Sequence, residues 1–134
     1  MRFPAAWLWA GALLLFGNTA HAGLELHLKS DGLSPAQQQA SQALLDEAMQ
    51  ALPPRFIEQL DRRIDVGWTD EMPANAYGQA SLVSELDLNR KLLASLTDGT
   101  AATQQTQRPH GTVRQELLAT VLHELTHIYD RARL

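Results

Sequence analysis

Two histidines four positions apart, with a glutamate directly after the first, stand near the end of this 134-residue chain: His123-Glu124-Leu125-Thr126-His127. In an α-helix this spacing sets both imidazoles on one face, about one turn apart, within reach of a single ion. Neutral imidazole nitrogen is a good ligand for zinc, and catalytic zinc sites use three protein ligands and keep one position for water. A carboxylate beside the first ligand can take a proton from that water, while the ion lowers the water's pKa towards neutrality. The chemistry so assembled is attack of a hydroxide-like nucleophile on a carbonyl polarised by the same ion. His123 and His127 are therefore the candidate metal ligands, Zn2+ the expected cofactor, and Glu124 the candidate general base.

That chemistry requires a helix, and Thr112 to about Arg131 reads as one. Val113, Leu117, Leu118, Val121, Leu122, Leu125 and Ile128 recur at helical spacing and form a broad apolar face. Upstream, Leu24, Leu26 and Leu28 alternate with polar residues in a first strand over Gly23–Lys29. Ser34-Pro35 opens a helix as N-cap and first-turn proline, and Pro53-Pro54 stops it. Phe56, Ile57 and Leu60 suggest one or two further turns. Ile64, Val66 and Trp68 alternate in a second strand, and Thr69 to Gly78 reads as a loop. Ser81 to Leu88 reads as a third strand with Leu82, Leu86 and Leu88 in phase. A short helix with Leu92, Leu93 and Leu96 follows, then a polar, Gln- and Thr-rich loop over Thr97–Gly111. The order strand, helix, strand, strand, helix, helix is an α+β pattern.

The N-terminus has the layout of a secretory signal peptide. Arg2 precedes an uncharged apolar run from Ala5 to Phe16, and Ala20-His21-Ala22 forms a small-x-small cleavage site before Gly23. The run is shorter than the ~20 residues a spanning helix needs. Cleavage of residues 1–22 leaves 112 of the 134 residues, 23–134, as a single small domain that does not span the membrane. Of 11 basic residues one, Arg2, goes with the leader, so 10 face 15 acids. An acidic chain of this kind lacks the basic footprint of a nucleic-acid binder. Cysteine is absent, so an exported chain must rely on packing or on a metal. Without a cysteine at the cleavage site there is no lipid anchor, and the expected location is periplasmic or secreted.

Thr120-Val121-Leu122-His123-Glu124-Leu125-Thr126-His127-Ile128-Tyr129 resembles the extended zincin metallopeptidase signature. Thr120 stands three before the first His, the flanking positions are uncharged, and Tyr129 is the hydrophobic residue two after the second. The core His-Glu-Leu-Thr-His is shared with the thermolysin-like gluzincins. The run through Arg131, following an exported α+β segment, is similar to the N-terminal periplasmic region of proteobacterial proteins of the DUF4105 type. The resemblance implies a small zincin-like domain: a short mixed sheet packed on helices, with the metal-binding motif on the C-terminal helix. It implies a zinc peptidase acting on peptide or protein, with substrate laid in extended form along an edge strand. Ser81–Leu88 is the candidate for that strand, by β-strand addition.

The third ligand departs from the family pattern. Gluzincins take it as a Glu on a later helix, and the chain ends seven residues after His127. Metzincins take it six positions after the second His, past a glycine, where Arg133 stands here. Asp130, at i+3 from His127, is the local candidate, better suited to a hydrogen bond with a ligand imidazole than to direct ligation, with a solvated acid at the helix end as the equal alternative. His27 and His110 are alternative ligands, against the plainer reading of each as a surface residue. Tyr77 and Tyr129 are candidates to stabilise an oxyanion, although Tyr129 lies about 200° round the helix from His127, where core packing fits better. A chain cut just after its zinc helix would look the same. Three readings result: an exported zinc-dependent hydrolase, a non-catalytic, incomplete zincin-like binding domain, and a structural α+β domain with a coincidental motif.

Overall fold

The computed structural model describes residues 23–73, 75–82, 84–98 and 111–132, with the backbone alone at 81 and 82. The expected leader and His110 lie outside these residues. Four strands form one sheet: β1 Glu25–Leu28, β2 Arg63–Thr69, β3 Gly78–Leu82 and β4 Glu85–Asn89. Their order is β1-β2-β4-β3. β1, β2 and β4 run parallel, and β3 is an antiparallel edge. The helices are α1 Pro35–Ala51, α2 Pro54–Gln59, α3 Leu93–Asp98 and α4 Val113–Ala132, with a 3₁₀ turn over Arg90–Leu92. The chain is thus a small α+β domain with a mixed sheet packed on helices.

Local chemistry explains where the long helices begin. Ser34 Oγ accepts from the Gln37 N–H at 3.1 Å, and Gln37 Oε1 accepts from the Ser34 N–H at 3.0 Å. Thr112 and Gln115 repeat this reciprocal cap in front of α4, at 3.1 and 2.9 Å. Each pair satisfies two backbone donors that a helix start leaves without a partner. Pro53 and Pro54 then separate α1 from α2, because proline disfavours helix at the residue before it.

α1 and α4 pack against each other and cover one face of the sheet. Ile64 and Val66 from β2, Leu86 and Leu88 from β4, Leu44 and Leu45 from α1, and Leu117, Val121 and Leu125 from α4 are fully buried there. Trp68 Nε1 donates to Ser41 Oγ at 3.0 Å, which ties the end of β2 to α1. The opposite face of the sheet is polar. On it Arg63 Nε donates to Asp65 Oδ1 at 3.1 Å, and His27 Nδ1 lies 3.2 Å from the same oxygen. The Arg63 hydrogen bond holds the Asp65 carboxyl below its ordinary value of 3.8.

The segment expected as one third strand is two. Gly78–Leu82 and Glu85–Asn89 form a hairpin, with a bulge between Ala80 and Leu82. Apolar alternation continued across the reversal, so periodicity alone could not reveal it. The consequence is functional: of Ser81–Leu88, only residues 81 and 82 lie on the edge strand, while Glu85–Leu88 sit inside the sheet between β2 and β3.

Candidate metal centre

α4 brings the three motif residues together. His123 Nε2 and His127 Nε2 lie 3.0 Å apart, their rings nearly perpendicular at 88°. Two nitrogens bound tetrahedrally at 2.0–2.1 Å from one zinc stand about 3.3 Å apart. The observed spacing is close to that bite, and both rings are exposed on the same side of the helix. A ligand atom from Glu124 joins them, all three within 4.8 Å of one another. Among the described residues this is the one cluster of three or more such groups, and its geometry suits a metal ion.

Glu124 is anchored from outside its own helix. The Ala80 N–H on β3 donates to its Oε1 at 2.9 Å. The Ala80 carbonyl accepts from Arg131 Nη1 at 3.4 Å. Both backbone groups of Ala80 therefore point off the free edge of the sheet and meet side chains of α4. In an antiparallel ladder outward groups alternate, so Gly78 shares this orientation. Gly78 also lies close against α4. A Cβ there would lie 2.9 Å from the Asp87 carbonyl oxygen and from Leu88 Cδ2, and 3.0 Å from Thr120 Cγ2. The Thr120 hydroxyl donates to the Glu116 carbonyl at 2.8 Å, leaving its methyl group for this contact.

Beside His123 and Glu124 opens a cleft of about 360 Å³ lined by Tyr77, Gly78, Ala119 and Thr120. Tyr77 is buried in its wall. The loop before β3 is pinned by Asn89, which is fully buried. Asn89 Nδ2 donates to the carbonyls of Pro73 at 3.0 Å and Ala76 at 2.7 Å, and its Oδ1 accepts from the Lys91 N–H. Lys91 Nζ adds bonds to the carbonyls of Asp70 and Met72.

The remaining candidates lie elsewhere. His27 is on β1, the opposite edge of the sheet from β3, paired with Asp65. Asp130 lines a groove with Phe56, Gln59, Thr126 and Tyr129, on the α2 side of α4. Tyr129 stacks on Phe56 with ring centroids 4.7 Å apart and donates to Gln59, so it packs rather than facing the cluster. Sequence reading missed Ala80, Gly78, Asn89 and Arg131. Only Arg131 carried a signal, standing four positions after His127.

Residues 25–134 match the sequence model of a family described as a domain of unknown function (DUF7844). No curated protein matches the chain. No solved structure matches it either. No described helix is long and apolar enough to cross a membrane.

Proposed function

The chain belongs to the DUF7844 family, and for it we propose an exported zinc-dependent hydrolase, most simply a peptidase, working in the periplasm or outside the cell. The observation that carries this reading is the convergence of His123 Nε2 and His127 Nε2 at 3.0 Å, with the Glu124 carboxylate beside them. His123 and His127 would hold the ion. Bound there, zinc supplies a water of lowered pKa and polarises a carbonyl oxygen.

The protein's own groups do the rest. Glu124 has one oxygen on the Ala80 N–H, which leaves the other to take the proton of the attacking water and pass it to the leaving amine. The hydrogen bond sets the carboxylate's direction before substrate arrives. The cleft beside His123 and Glu124 receives a substrate side chain. The edge of β3 offers the outward backbone groups of Gly78 to an extended peptide.

A second reading has its own support. Among the described residues no further His, Asp or Glu joins the cluster, and Glu124 is already engaged by backbone. Both fit a non-catalytic domain that holds a metal without turnover. Zinc per chain in the purified protein, measured for the parent and for His123→Ala, decides whether the site is a metal site. Absence of zinc in the parent would sink the hydrolase. If zinc is bound, peptide hydrolysis by parent and Glu124→Gln separates the two readings: turnover abolished by Glu124→Gln supports the hydrolase, and no turnover in either supports the binding domain.

A further inference from the structure

Arg131 continues the stripe that carries the cluster. It stands four positions past His127 and eight past His123, on the same side of α4 and about 6 Å beyond His127 along the axis. Its Nη1 reaches the Ala80 carbonyl at 3.4 Å, beside the N–H that Glu124 occupies. That bond is long and uses one of the guanidinium's five N–H donors, so it steers the group to the strand edge and leaves a fork available. Arg63 and Arg114 are paired with Asp65 and Glu47, whereas among the described residues Arg131 makes no ion pair. The cleft on the other side of the cluster is lined by Tyr77, Gly78, Ala119 and Thr120 together with His123 and Glu124. Arg131 thus places a cation at the end of the site away from that cleft.

Resting on the hydrolase reading above, we propose that Arg131 is a specificity residue binding a substrate carboxylate. An extended peptide advances about 3.3 Å per residue. The carboxylate would then lie one or two residues from the bond held over His123 and His127. Guanidinium and carboxylate match as a two-pronged, charge-assisted pair, which an amide does not reproduce. The carboxylate is either the peptide's own C-terminus or the side chain of an Asp or Glu.

The test uses fluorescent peptide pairs identical but for one group. In one pair the C-terminus is free or amidated, and in the other an internal Glu is kept or replaced by Gln. Binding is read by anisotropy on the zinc-loaded Glu124→Gln protein, and cleavage on the zinc-loaded parent. Loss of the recognised carboxylate weakens binding about tenfold or more. Which pair responds identifies its source. Adding Arg131→Gln costs the carboxylate peptide the same factor and leaves its neutral partner unchanged, while Arg131→Lys recovers part of the loss. Equal binding within both pairs overturns the proposal, as does Arg131→Gln weakening acidic and neutral peptides alike. If the parent binds zinc and cleaves peptides with equal kcat/KM within both pairs, this proposal fails and the hydrolase stands. If the parent binds no zinc or cleaves nothing, both fail.

Discussion

The N–H of Ala80, on the edge strand, donates to the carboxylate of Glu124, on the helix of the His-Glu-His cluster, at 2.9 Å. A residue 44 positions earlier in the chain thereby sets the direction of the candidate base. Because the bond uses a backbone donor, its loss is tested by proline. The Ala80 N–H points away from β4, and proline is tolerated on edge strands when the missing donor faced outward. Ala80→Pro is expected to leave zinc content unchanged and to lower kcat of the zinc-loaded protein about 10- to 100-fold, as for other groups that orient a metal site. Zinc titration and steady-state kinetics check it, and an unchanged kcat would show that Glu124 needs no anchor.

Gly78 keeps β3 against α4. Gly78→Val would drive its side chain into the Asp87 carbonyl, Leu88 and Thr120, an overpacking that costs about 1–3 kcal/mol. Urea unfolding should show a lower midpoint with an unchanged slope. Since both histidines are on α4, zinc should still bind.

Asn89 serves the site without touching it. Asn89→Ala removes the donor to the Pro73 and Ala76 carbonyls, and each lost hydrogen bond costs about 0.5–1.5 kcal/mol. We expect a clear loss of stability in chemical denaturation. Amide exchange should rise most in the 70–77 loop.

A metal that binds only the folded chain stabilises it by mass action. At free zinc about 100-fold above Kd the gain is about 2.7 kcal/mol. Zinc should therefore raise the melting temperature, and a chelator should reverse the rise. His123→Ala should abolish this response, and His27→Ala, on the far edge of the sheet, should retain it. A rise that survives His123→Ala would assign the metal to another site.

Asp65 gives a pH dependence with a definite sign. The Arg63 hydrogen bond depresses its folded pKa below the ordinary 3.8. The folded chain then binds this proton less readily than the unfolded one. The stabilisation is fully present above the unfolded value and is lost as pH falls through the folded value. An NMR titration of the Asp65 carboxyl should give a midpoint below 3.8 in the parent. Arg63→Ala should move it upward. Both groups are substantially exposed, so the effect on global stability should be slight.

The helix of the His-Glu-His cluster was legible in the amino-acid sequence because everything that makes it is local. Its Thr112–Gln115 cap, its apolar repeat and the four-residue spacing of His123 and His127 all act within one or two turns. Ser34, the Pro53-Pro54 break and the alternation through Ile64, Val66 and Trp68 were readable for the same reason. The reversal between β3 and β4 was not, since an alternating apolar pattern reads the same whether the strand continues or folds back. Which edge borders α4 followed from the order β1-β2-β4-β3, a choice made by pairing across long separations. Only that tertiary arrangement put the Ala80 backbone on Glu124 and Arg131, and moved His27 to the other side of the sheet. Spacing along one helix determines which side chains can share an ion. What surrounds that ion depends on contacts between segments that no local pattern encodes.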